Sequence, residues 1–161
     1  MSWLKRRFTT LSNPEPEKNI PLLDERFIDR LGTLLRSFDV IVCYLYGSHA
    51  RGQQTPLSDI DLAILLNRNS TSIERGHISL KISHSIGELV NTAEVDVRVL
   101  NDSSLEHRYN VIRDGKIIYS MDDYERLEFE SRTLMEYFDF KPIIDQYNQY
   151  MYRRIVETGK I

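Results

Sequence analysis

Residues Val40 to Tyr46 read VIVCYLY, a run of strand length with no charge and no turn former. A strand with one wet face alternates apolar with polar residues, so an unbroken run of this kind belongs to a strand covered on both faces. The fold therefore needs a layer of chain on each side of it. Helical patterns on either side of the run can supply those layers. Leu22, Leu23, Phe27, Ile28, Leu31, Leu34, Leu35 and Phe38 make one helical stripe, with Pro21 near its first turn.

Gly47 and Ser48 then turn the chain, with Ser48 in the position of a helix N-cap. A short helix over HARGQ precedes a loop through TPLS into DIDLAILL, the second strand. The spacing predicts a longer helix over about Ser72 to Asn91, burying Ile78, Ile82, Ile86, Leu89 and Val90. EVDVRVL, from Glu94 to Leu100, alternates strictly, so Val95, Val97 and Val99 face one way and Asp96 and Arg98 the other. A third helix over Ser104 to Arg113, closed by Gly115, leads into KIIYS as a fourth strand. From Asp122 onward the pattern is helical, with a break or kink expected near Pro142. This alternation describes one α/β layer domain: a tail over 1–20, a core over 21–121 and a helical extension over 122–161.

Length and composition agree with one domain, because 161 residues can bury a real core. A net charge of −3 gives no overall footprint for nucleic acid backbones. No apolar stretch approaches the roughly 20 residues that span a bilayer. The basic start LKRRF is followed by TTLSNPEPEKN instead of an apolar signal core, which points to a cytoplasmic protein. Cys43, the single cysteine, has no internal disulfide partner and reads as a small buried hydrophobe.

Asp59 and Asp61 sit where the second apolar run begins. Residues two apart in a strand share a face, about 6–7 Å apart along the backbone. Two carboxylates converging there repel unless something positive lies between them. A hard divalent cation answers that need, since Mg²⁺ takes one or two protein carboxylates and leaves its other positions to water and phosphates. Asp96, on a neighbouring strand and opposite its valine face, is the third acid. Three acids on adjacent strands suit two ions about 3.5–4 Å apart. Other readings stand beside this one. Asp59 could close a turn, and Asp96 could be a solvent-facing residue paired with a nearby cation.

The Gly-Ser turn supplies the complementary half. Gly47 lets the backbone approach a phosphate, Ser48 offers a hydroxyl and an N–H, and Arg51 lies one turn along. Arg51 could equally hold a surface ion pair. A turn for a polyphosphate followed by a strand for the metals that neutralise it describes phosphoryl or nucleotidyl transfer. Elsewhere, His77 and His84 lie two helical turns apart with no third ligand, and His49, inside the turn, either approaches substrate or, as the leading expectation, faces solvent. Tyr147, Tyr150 and Tyr152, with Ile143, Ile144, Met151 and Ile155, form an amphipathic surface that either packs on the domain or meets a partner.

Gly47-Ser48, ten residues, then Asp59-Ile60-Asp61 and the later Asp96 resemble the signature of the DNA polymerase β-like nucleotidyltransferase superfamily. In GSHARG, Arg51 falls where that family often carries a phosphate-binding arginine. The resemblance covers about residues 40–120, and the small size and helical tail look like the minimal nucleotidyltransferases. Members of that group are commonly encoded beside HEPN-domain proteins as toxin–antitoxin pairs. The resemblance implies an α/β (α+β) fold with a small mixed sheet flanked by helices, and Mg²⁺-dependent use of ATP. It places the terminal phosphates on Gly47, Ser48 and Arg51, one metal on Asp59 and Asp61, and a second on all three aspartates, with Asp96 as a possible general base. The implied acceptor is a tyrosine of a HEPN ribonuclease toxin, which AMPylation silences.

Two alternatives differ in class: a nucleotidyltransferase for a small molecule or an RNA end, and a catalytically dead module that neutralises its partner by contact. Small-molecule enzymes of the superfamily usually carry a larger second domain to complete the acceptor pocket, whereas the helical extension expected here covers only 122–161, and the sequence shows no basic or aromatic single-strand groove. An intact acid triad argues against the dead module.

Overall fold

The computed structural model describes residues 25–55, 58–67, 69–90 and 94–159. The expected tail over 1–20, together with Pro21, Leu22 and Leu23, lies outside them. Helix α1 (Glu25–Ser37) buries Phe27, Leu31 and Leu35, the period expected of an amphipathic helix. Asp39 then takes a left-handed backbone (φ 53°) and turns the chain into β1 (Val40–Tyr46). The remaining elements are a short helix α2 (Gly47–Ala50), β2 (Ile60–Leu66), α3 (Ser72–Val90), β3 (Val95–Val99), α4 (Leu105–Asp114), β4 (Lys116–Ser120) and α5 (Asp123–Thr158).

The sheet has four strands in the order β3-β2-β1-β4. β1 is antiparallel to both neighbours, whereas β2 and β3 run parallel across the α3 crossover. The sheet is therefore mixed and flanked by helices, and VIVCYLY is an interior strand, as its continuous apolar pattern requires. A bulge between Val40 and Val42 shifts its pleat, so Ile41, Val42 and Tyr44 face the α4–α5 side while Cys43 and Leu45 face α1 and α3.

Side-chain hydrogen bonds tie the edge strand to its helix. Ser79 and Ser83 of α3, four apart and so on one helical face, donate to the carbonyls of Val97 and Val95. Asn101 clips the end of β2, accepting from Leu66 N–H and donating to its carbonyl at 2.9 Å each. Thr71 and Glu74 form a reciprocal capping box that starts α3, and Ser104 caps α4.

Three expectations are corrected. Ser48 is not an N-cap: the cap is Tyr46, and the helix starts at Gly47, so Ser48 lies inside its first turn. That helix covers Gly47–Ala50 and stops at Arg51, short of the expected HARGQ. The break at Pro142 does not occur either. α5 runs through it for 36 residues, from the Asp122 cap to the left-handed Gly159. The proline removes one donor locally, and the cost of about 3 kcal/mol is absorbed by continuous helix on both sides. Among the described residues, no helix is long and apolar enough to cross a membrane.

Candidate active site

The register brings the sequence-predicted residues to one end of the sheet. Tyr46 pairs with Asp61 across β1 and β2, and Asp61 pairs with Asp96 across β2 and β3. Gly47, the next residue after Tyr46, has φ +70°, a conformation that favours glycine. A Cβ placed there would lie 2.1 Å from Asp61 Oδ2. The turn and the carboxylate are thus in direct contact, and only a residue without a side chain allows both.

Asp61 lies on the face that also carries Ala63 and Leu65, toward α4 and α5, and is half-buried. Burial raises its proton affinity first, and the neighbouring Asp96 and Asp59 raise it further, while Arg98 and His49 oppose them. Asp59 stands one residue ahead of β2, exposed. Its side chain hydrogen-bonds Glu94, whose carboxyl is held above its usual range by that bond and by the charge of Asp59. Asp96 is exposed and accepts from Arg98 Nε at 3.0 Å. It is therefore both on the shared face and paired with a cation of its own strand.

Each acid is engaged by its own neighbour. As the side chains stand, no three His, Cys, Asp or Glu among the described residues form a closed metal site. The donor set still fits a hard cation: the ligand atoms are carboxylate oxygens, and the crowding that raises Asp61 is the condition a divalent ion relieves. Asp96 would have to trade its contact with Arg98 for the ion.

The phosphate half is less tightly drawn. Ser48 is half-buried and its carbonyl accepts from Gln53 N–H at 3.0 Å. Arg51 is exposed, and its Nε donates to Gln53 Oε1 at 3.4 Å. Its guanidinium is thus lightly held at the surface, at the same end of the sheet as Gly47. His49, expected in solvent, is buried at 8% exposure, with Nε2 against the Ser58 carbonyl.

Four neighbours of the site went unread in the sequence: Glu94, Arg98, Tyr46 and His107. Burial pushes the Tyr46 phenol up to about 12, with Arg98 opposing it. His107 of α4 meets the Tyr46 ring edge-on at 5.5 Å. A readable signal for Glu94 did exist. DID and EVD are the same acid–apolar–acid triplet, and parallel pairing of Ile60 with Val95 sets the two triplets side by side.

Residues 31–124 match the family model described as "Polymerase beta, Nucleotidyltransferase". The chain belongs to that family. It is 30% identical over 104 residues to "Protein adenylyltransferase MntA" of Aphanizomenon flos-aquae (strain 2012/KM1/D3), spanning 62% of this chain and 69% of that one. The fold is similar to a chain of a toxin–antitoxin crystal structure with AMP-PNP, at TM-score 0.59 and 23% identity, covering 74% of this chain and 97% of that chain. It is also similar to a chain of the complex of tri-AMPylated Shewanella oneidensis HEPN toxin with MNT antitoxin, at TM-score 0.54 and 21% identity, covering 74% and 94%. The protein is a nucleotidyltransferase of the minimal, MntA-like kind. Asp61 and Asp96 stand in register at one end of its sheet. A cleft of about 480 Å³ lined by Asp39, Asn67, Glu74 and His77 lies at the other end, near the start of β1, and is unconnected with it.

Proposed function

We propose that the protein is an adenylyltransferase that moves AMP from ATP to a tyrosine hydroxyl of a partner HEPN ribonuclease toxin, acting as its antitoxin in the cytoplasm. The observation that carries this reading is the direct apposition of Gly47 to Asp61, with Asp61 in register with Asp96. The named activity of the MntA relative and the AMPylated toxin in a similar complex support the acceptor class.

In this reading the Gly47–Ser48 turn and Arg51 bind the terminal phosphates, the glycine by close backbone approach and the arginine by charge-assisted hydrogen bonds. Asp59, Asp61 and Asp96 would hold Mg²⁺, two ions in all, which supplies neutralisation of the triphosphate and a lower pKa for the acceptor hydroxyl when bound. Asp96 is exposed on the edge strand, where an incoming protein can reach it. It takes the proton from the acceptor oxygen as that oxygen bonds to the α-phosphorus and the bond to pyrophosphate breaks. In this reading specificity comes from a docked protein that presents its own hydroxyl. The second half of α5 suits that docking: Ile143, Tyr147, Tyr150 and Tyr152 are each more than 60% exposed, so they do not pack on the domain.

Intact-mass analysis of the protein with its HEPN-type partner, ATP and Mg²⁺ tests the reading. The expected result is AMP added to partner tyrosine. Adducts confined to a small molecule or an RNA terminus would replace the acceptor, and toxin silencing without any adduct would leave only neutralisation by contact.

A further inference from the structure

The proposed reaction depends on where Asp59 stands relative to the Gly47–Ser48 turn, and the bonds of the described residues between them are local. At its start, Gln53 N–H donates to the Ser48 carbonyl at 3.0 Å. At its end, Thr55 N–H donates to Ser58 Oγ at 2.8 Å and Ser58 N–H to the Thr55 carbonyl at 3.0 Å, so that turn closes on itself. Among the described residues, the side chain that reaches from α2 to this end is His49. Its Nε2 lies 3.2 Å from the carbonyl oxygen of Ser58, the residue directly before Asp59.

The bond fixes the ring's chemistry. A carbonyl oxygen only accepts, so Nε2 must carry the hydrogen. In a neutral ring Nδ1 is then a bare acceptor, and it is buried without a partner among the described residues. An unmatched buried acceptor costs stability, which an aliphatic residue of similar volume would avoid. What an aliphatic residue could not supply is the grip on Ser58.

We propose that His49 is a positioning residue: its Nε2–H holds the Ser58 carbonyl and thereby sets Asp59 at the distance from the Gly47–Ser48 turn that a nucleotide-bound cation requires. This rests on the nucleotidyltransferase reading of the site. It acts through Asp59 and touches no reacting atom. Partners of metal ligands in this outer position typically control metal affinity or activity by about 10–100-fold.

The test uses the full chain, with Mn²⁺ as the probe titrated in the presence of ATP. His49→Phe keeps the ring volume and removes the donor, whereas His49→Gln returns an N–H in the place of Nε2. The half-saturating Mn²⁺ concentration should rise about 10–100-fold in His49→Phe and return to within about threefold of wild type in His49→Gln. Wild-type Mn²⁺ dependence in His49→Phe, or no recovery in His49→Gln, would overturn the proposal. Should the wild-type chain bind no Mn²⁺·ATP at all, the nucleotidyltransferase reading fails, and two measurements without nucleotide decide the positioning role. Nitrogen-15 spectra of the His49 ring should show a protonated Nε2 and a bare Nδ1. Exchange of the Ile60 amide, which donates to the Glu94 carbonyl at 3.0 Å, should quicken at least about tenfold in His49→Phe as local opening becomes easier. A ring with no hydrogen on Nε2, or unchanged exchange, overturns it there.

Discussion

On the α1–α3 side of the sheet, Leu31, Leu35, Leu62, Ile64, Ile82 and Ile86 close an aliphatic core in which every one of these side chains is fully buried. The α4–α5 side is built differently. There the Tyr44 hydroxyl donates to Glu130 at 2.7 Å, Arg126 donates to the same carboxylate and to Asp123, and Ser120 donates to Asp123. Arg126 is 4% exposed, a charge taken almost wholly out of water. Asp61 and Asp96 belong to this second face as well. The first side rests on volume and exclusion of water, with directional side-chain bonds from Ser79 and Ser83 at its edge strand, and the second places donors and acceptors, charged ones among them, inside its packing. The candidate site lies on the side that carries these charged bonds, which hold α5 against β1.

The comparison breaks most severely at the carboxylates. Asp59→Asn with Asp61→Asn should lower nucleotide transfer by on the order of 10³-fold or more, the scale on which charge-stabilising groups act. The melting temperature should hold or rise, because crowded like charges are removed. Asp96→Asn should cut the transfer rate by about 10²–10⁴-fold, as loss of a general base does, with a much smaller effect on ATP binding. Ser48→Ala and Arg51→Ala should act chiefly on nucleotide affinity. Calorimetric titration beside a transfer assay separates these cases; an Asp96→Asn protein that loses ATP binding alone would reverse the assignment.

Stability variants sharpen the contrast between the faces. Leu35→Ala on the apolar side should cost about 2–5 kcal/mol through lost burial and a cavity. Arg126→Ala on the polar side should cost about 3–5 kcal/mol, because Glu130 is left buried without its cation. Arg126→Met with Glu130→Gln should recover most of that loss, since the glutamine still accepts from Tyr44. No combination of neutral partners restores Leu35→Ala. Denaturant midpoints with unchanged slopes would measure both. A double variant no more stable than Arg126→Ala would mean that the charge itself, not its pairing, holds α5 down.

The apolar face was legible from the sequence almost residue by residue. The run at Val40 to Tyr46, the α1 stripe and the Ile82–Ile86 spacing are patterns of identity and period, and burial follows period. The three aspartates and the Gly-Ser turn were legible because their spacing along the chain is fixed. What went unread depends on distance in space. Arg98 points to Asp96 because they are two apart on a strand, but only the structure shows them bonded. His49 is polar by identity and buried by context, since α2 begins two residues earlier than the cap rule suggests. Pro142 leaves its helix unbroken because the residues on both sides keep helical angles.

Removing the outer half of α5 tests whether the polar face extends into a partner. Truncation after Asp139 deletes Tyr147, Tyr150 and Tyr152, all exposed, and spares the network through Arg126 and Glu130. ATP binding should be unchanged and the melt altered by only a degree or two on the order-of-magnitude scale of surface changes. Binding and AMPylation of the partner should fall together. Undiminished partner modification after truncation would place the docking surface elsewhere.

The smallest expected effect is a pH dependence at the rim of the polar face. His107 is held below the usual histidine range, first by burial and then by Arg98, with Asp96 opposing. Its Nε2 is buried with no partner, so a proton there would find no acceptor. The folded state therefore binds this proton less tightly than the unfolded chain does. Stability from the neutral ring is fully present above the unfolded value of about 6.5 and is lost as pH falls through the lowered folded value. His107→Phe keeps the edge-on contact with Tyr46 and removes the titration. The variant should match wild type at pH 8 and lose less stability as pH falls below about 6.5. Parallel pH–stability curves for the two proteins would mean that His107 titrates alike in folded and unfolded chains, and that water reaches its ring.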